Sequence, residues 1–153
     1  MHDILNKLVK NNVCPIAVMF GATANSILMG HRHYKKANTP NLKTDETSVW
    51  THPGGRGDQG ETIEETLRRE VREETGITEF EILDFIAEVE GANPEDTVPI
   101  FLCATEQEPT LMEPNKFSEW RWVTVSDYIA GSHYSGFNPA ARKAIVDYLK
   151  TVK

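Results

Sequence analysis

One predicted helix, residues 61–75, carries carboxylates where its packing face should be apolar. At about 100° per residue, Ile63, Leu67 and Val71 define its apolar stripe. Glu70 and Glu74 project into the same arc as Ile63 and Leu67, while Glu64, Glu65, Arg68 and Arg72 take the opposite one. Glu73 completes an i, i+3, i+4 set with Glu70 and Glu74, so the three share one side. Unpaired charge at the edge of a buried face is costly. A hard divalent cation with oxygen ligands accounts for such a cluster, and Mg²⁺ does so while keeping waters and phosphates as its other ligands. The turn before the helix, Pro53-Gly54-Gly55, lets the backbone come close to an ion or a phosphate. Glu61 sits near the helix N-terminus, where negative charge is favoured. Arg69 can pair with Glu65 or Glu73 on neighbouring turns. Gly76 is placed to cap the C-terminus.

The rest of the chain frames this helix. Apolar runs at 13–20, 26–30, 49–52, 81–89, 98–104 and 120–125 read as strands. Residues 2–11 read as a short helix. The last helix starts at Asn138 as N-cap and Pro139 as first helical residue, with Ala141, Ile145, Tyr148, Leu149 and Val152 on one face. The polar stretch 31–48 reads as a long loop, a candidate lid or specificity element, with His31 and His33 as loop residues. Strands, helix, strands, helix in that order imply an α/β fold, a mixed sheet covered by helices. No linker or repeat divides the 153 residues, so one domain spanning 1–153 is expected.

Charge and composition exclude other classes. A net charge of -7 disfavours a general nucleic-acid polymer as partner. No apolar stretch reaches the roughly 20 residues of a membrane helix, and no leader pattern opens the chain. Two cysteines, Cys14 and Cys103, fit no zinc or redox spacing and read as strand residues of the core. A cytoplasmic protein is expected.

The segment resembles the signature of the Nudix hydrolases: G, five residues, E, seven residues, then R-E-U-x-E-E-x-G-U with U aliphatic. Gly55, Glu61, Arg69-Glu70-Val71-Arg72-Glu73-Glu74-Thr75-Gly76-Ile77 match every fixed position. The resemblance implies an α/β/α sandwich with the mixed sheet between helices, a small nucleotide substrate, Mg²⁺ with Mn²⁺ as possible substitute, and a possible homodimer. It implies water attack on a phosphoanhydride of a nucleoside diphosphate linked to another group. Carried over by position, Glu70, Glu73, Glu74 and the Gly54 carbonyl would hold metal. Gly55, Glu61, Arg69 and Gly76 would shape the motif. A helix carboxylate or a later glutamate would take the proton from water.

Weaker similarities address the substrate. Residues 113–122 resemble a segment of family members acting on nucleoside triphosphates, and Glu113 is the counterpart of their additional catalytic glutamate, ahead of Glu119. Residues 136–139 resemble the place where MutT-type relatives keep a base-reading asparagine, here Asn138, whose plainer role is the helix cap. Arg32 and Arg56 occupy positions of phosphate contacts, or are solvated loop charges. His52 stands where relatives often carry an apolar residue. The expected reaction is a nucleoside triphosphate, NTP or dNTP, canonical or damaged, going to monophosphate plus pyrophosphate. Nucleotide sugars or dinucleoside polyphosphates are the alternative, and a non-catalytic nucleotide-sensing module is the third reading.

Overall fold

A computed structural model describes residues 1–10, 12–23, 25–35, 46–131, 134 and 138–151. Its centre is β1 (Ile16–Phe20), the apolar run that the sequence marks most strongly. Ala17, Val18 and Met19 are wholly buried there. β1 pairs antiparallel with β2 (Ser26–Lys35) and parallel with β5 (Thr97–Ala104), so the sheet is mixed. β3 (Glu46–Thr51) closes one edge against β2, and β4 (Glu81–Glu90) closes the other against β5. β6 (Phe117–Thr124) joins the early part of β2, and the register shifts between Gly30 and Arg32, where β2 passes over to β3.

Side chains alternate across the strands and build two cores. On one face, Ala17, Met19, Leu28 and Phe101 pack with Leu67 and Val71 of α2 (Ile63–Thr75). On the other, Val18, Ile27, Met29 and Ile100 pack with Ile145 of α4 (Pro139–Thr151) and Tyr128 of the short α3 (Val125–Ala130). The α/β/α sandwich is thus the observed architecture.

Several expectations are corrected. The N-terminal helix α1 is only His2–Leu5 and ends at Asn6. Val9 still reaches the core, through a segment whose backbone pairs with Glu61 and Thr62. The loop read over 31–48 is largely strand at its ends: β2 continues to Lys35 and β3 begins at Glu46. His31 and His33 therefore sit on β2, and His31 stacks on its cross-strand partner Trp50 at a ring separation of 4.7 Å. Cross-strand aromatic pairs hold a sheet beyond the core without any apolar run to announce it. Residues 36–45 lie outside the described ones. Cys14 precedes β1 and is half-buried, whereas Cys103 is the expected core residue on β5. α3 had no sequence expectation; Thr124 caps it by accepting from the Asp127 N–H at 3.1 Å. Ala141, Ile145 and Leu149 are buried as expected on α4, and Tyr148 is half-exposed, its hydroxyl donating to Asp84 at 2.7 Å. Val152 and residues 135–137 lie outside the described ones.

Candidate active site

The loop before α2 and the face of α2 are tied together by two glycines. Gly54 has φ of +145°, and a Cβ there would stand 2.3 Å from the Pro15 carbonyl. Only glycine fits, and its N–H is free to donate to Glu74 Oε1 at 3.0 Å. Gly55 lies so close to Glu70 that a Cβ would meet Oε2 at 2.7 Å. The double glycine thus lets the backbone lie directly on two carboxylates of the helix.

Those carboxylates differ in environment, as the helical arc requires. Glu74 is buried, 4% exposed, Glu70 is half-buried and Glu73 is exposed. Burial pushes the Glu74 carboxyl up to about 8, against the stabilising Gly54 N–H, with the Glu70 and Glu113 charges adding to the rise. Burial also raises Glu70, and Arg69 opposes it. Glu113 contributes to the field at both Glu70 and Glu74, so the loop before β6 does bring this glutamate toward the helix. Glu119 instead pairs with Arg121 on β6. Trp120, also on β6, donates its indole N–H to the Glu74 carbonyl at 3.1 Å and so fixes the end of α2.

Arg69 organises the loop. Its Nε donates to Glu61 Oε2 at 2.7 Å and its Nη2 to Glu61 Oε1 at 3.0 Å, a bidentate pair. Nη2 also reaches the Arg56 carbonyl, while Nη1 donates to Glu73 at 2.6 Å and Glu70 at 3.1 Å. The guanidinium holds Glu61 down at about 2. The Arg69–Glu73 pairing is as expected. Glu65 is engaged elsewhere: it forms the capping box with Thr62, each accepting from the other's backbone N–H. Gly76 ends the helix with φ of +73°, the left-handed cap foreseen for it.

Among the described residues, no three His, Cys, Asp or Glu side chains are gathered ready to hold an ion. The donor chemistry nevertheless fits a hard cation. Among the described residues, Glu74 accepts one N–H and Glu70 one guanidinium contact, which leaves both carboxylates with further lone pairs.

A cavity of about 340 Å³ lies beside these groups. Arg32, Arg56 and Asn138 all line it, together with His52, Tyr34 and Asp96. Arg32 links the cavity to the carboxylates, because its charge opposes the rise at Glu74. Its Cζ stands 4.9 Å from the Tyr34 ring and 5.6 Å from that of Phe117. Arg56 is held by Asp96 through two contacts of 3.1 and 2.8 Å. Asn138 caps α4, its Oδ1 accepting from the Ala141 N–H at 3.0 Å, while its Nδ2 donates to the Glu90 carbonyl at 2.8 Å. The amide is therefore engaged at both ends where it faces the cavity. Tyr34, Asp96 and Cys14 were not expected here. Tyr34 follows Arg32 at i+2, a signal that becomes readable once 31–35 is taken as strand. Nothing local marks Asp96. A larger hollow, about 610 Å³, lies among Gly21, Glu79, Glu81 and Glu106, away from the α2 carboxylates and lined by negative charge unsuited to phosphate.

The model of the NUDIX domain family matches residues 11–147. The chain belongs to the Nudix family. An RNA pyrophosphohydrolase of Wolbachia pipientis is 31% identical over 107 residues, 58% of this chain and 66% of that protein. Nudix hydrolase 6 of Arabidopsis thaliana is 38% identical over 89 residues, 54% of this chain and 31% of that protein. The matches thus span less than two thirds of either curated relative. Among solved structures, the MutT protein of Methanosarcina mazei Go1 superposes with a TM-score of 0.68 at 21% identity, covering 92% of this chain and 94% of that one. That likeness is one of fold, and the Nudix sandwich is the fold of this chain.

Proposed function

We propose that this Nudix domain is a Mg²⁺-dependent pyrophosphohydrolase that converts a nucleoside triphosphate to its monophosphate and pyrophosphate. Water attacks a phosphorus of the chain, one phosphoanhydride bond breaks, and pyrophosphate leaves. The observation that carries the reading is the juxtaposition of a buried carboxylate face, Glu74 and Glu70, with a cavity bearing Arg32 and Arg56. Acid and base side by side suit a metal-bridged polyphosphate, which neither group set binds well alone.

In this account Glu70, Glu73, Glu74 and the Gly54 carbonyl would hold the metal, Glu73 being the one of the three carboxylates that Arg69 engages most closely, at 2.6 Å. Bound Mg²⁺, or Mn²⁺ in its place, supplies charge neutralisation and a more acidic water. Glu113 would take the proton from the attacking water. Arg32 and Arg56 hold phosphate oxygens, and Asn138 contacts the base. Glu61, Arg69, Gly55 and Gly76 keep the loop on the helix. The intact carboxylate set favours turnover over a purely sensing role.

A product panel tests the proposal. Canonical and oxidised NTPs and dNTPs, nucleotide sugars, dinucleoside polyphosphates and 5′-triphosphate RNA are incubated with Mg²⁺ and resolved by ion exchange. Monophosphate plus pyrophosphate from a free triphosphate is the expected result. Turnover confined to sugar-linked or dinucleoside substrates, or to RNA, overturns the substrate assignment. Tight binding of nucleotide with no hydrolysis in Mg²⁺ or Mn²⁺ overturns the enzymatic one.

A further inference from the structure

Among the described residues, two buried side-chain nitrogens have no hydrogen-bond partner, Arg32 Nε and His52 Nδ1. Both residues line the 340 Å³ cavity. Leaving a buried polar atom unpaired is costly, so two on one cavity require an explanation. Arg32 Nε is always a donor. The state of His52 follows from its other nitrogen, which lies 3.0 Å from the Tyr128 hydroxyl. Tyr128 is itself wholly buried, and among the described residues its hydroxyl is partnered by His52. Two tautomers are conceivable. If Nε2 carries the proton, the phenolic O–H has no acceptor and Nδ1 has no donor. If Nδ1 carries it, the phenol donates to Nε2 and one N–H remains over. The second arrangement leaves fewer groups unpaired, so Nδ1 is a donor.

We propose that His52 is a specificity-determining residue of this cavity: its Nδ1–H selects bases that present an oxo group over those that present an amino group at the same ring position. The proposal rests on the nucleotide reading above and adds to it which base edge is taken. An oxo oxygen accepts from an N–H, whereas an amino group offers a second donor and leaves both unpaired. Sites built on such a hydrogen bond discriminate strongly, because the wrong ligand strands a buried polar group. Tyr128 is the positioning residue, fixing the tautomer without touching the ligand.

Matched pairs of substrates test this. ITP against ATP, and UTP against CTP, exchange oxo for amino at one position. The wild-type protein is expected to prefer the oxo member of each pair at least tenfold in kcat/KM. His52→Leu keeps a buried side chain of similar size but has no N–H, and the preference is expected to collapse to within about threefold. His52→Asn places an amide nitrogen near the former Nδ1 and is expected to restore part of the preference. Tyr128→Phe removes only the hydroxyl and is expected to weaken the preference while leaving the imidazole. A structural role alone would lower the melting temperature and leave the ratios unmoved. Ratios near unity in the wild type, or equal in wild type and His52→Leu, overturn the His52 proposal and spare the pyrophosphohydrolase reading. Absence of turnover with all four nucleotides and with the wider panel sinks both.

Discussion

The N–H of Gly54 donates to the carboxylate of Glu74 across 3.0 Å, linking two positions 20 residues apart in the chain. This one bond joins the glycine turn to the buried end of the acidic helix face. It also shows how a carboxylate survives there, since a hydrogen bond to the charged form offsets part of the desolvation.

The offset is incomplete, which gives the metal-free protein a defined pH dependence. Glu74 lies at about 8 in the fold against an ordinary 4.5. Between those values the folded state binds more protons than the unfolded one, so stability falls as pH rises, by at most about 1.4 kcal/mol per pH unit. His52 acts in the opposite sense: burial pushes it down to about 3 from 6.5, and stability falls as pH drops through that window. Of these two groups, only Glu74 contributes between pH 6.5 and 8. Urea midpoints measured there in EDTA are expected to decline for the wild type and to decline less for Glu74→Gln. Equal slopes would remove burial as the reason for the shift.

Gly55→Ala tests the close approach of the loop to the helix. The new Cβ would stand 2.7 Å from Glu70 Oε2, and the carboxylate must move. Turnover is expected to fall at least tenfold, with the melting temperature lowered only a few degrees because φ at this glycine is not positive. Unchanged turnover would show that the position of Glu70 does not matter.

Arg69→Lys keeps the charge and discards the fork. A lysine cannot hold both oxygens of Glu61 while reaching Glu73 and the Arg56 carbonyl. Loss of about 1.5–3 kcal/mol in denaturant unfolding is expected, as for hydrogen bonds to charged groups. Activity should fall with it. Retention of both would leave the Glu61–Arg69 pair without a structural purpose.

Substitution separates the observed cap of Asn138 from its proposed contact with the base. Asn138→Ala removes the α4 cap and is expected to cost about 1 kcal/mol. Asn138→Ser keeps a capping oxygen, and stability should stay within a few tenths of a kcal/mol. KM for the nucleotide is expected to rise several-fold in both. An unchanged KM in Asn138→Ser would reduce the residue to a helix cap.

The helix and its acidic edge were readable because they are local: burial of Glu74, half-burial of Glu70 and exposure of Glu73 all follow from a 100° step. The αL cap at Gly76 and the Asn138 cap were readable for the same reason. Long-range geometry was not. No spacing rule places Asp96 on Arg56, 40 residues away, or Tyr128 on His52, 76 residues away. The β2–β3 extension was missed because its stability comes from cross-strand pairs such as His31 with Trp50, which a polar sequence hides. Which partner Arg69 takes was legible only in part, since Glu61 reaches it from the loop and not from a helical turn.

The central claim is that the Glu74 face of α2 performs phosphoanhydride hydrolysis. Its most direct test is the turnover of wild type and Glu74→Gln on the best triphosphate of the panel at saturating Mg²⁺, with melting curves for both. A fall of at least a hundredfold in kcat with the cooperative melting transition retained is predicted. Near wild-type kcat in the variant would contradict the account.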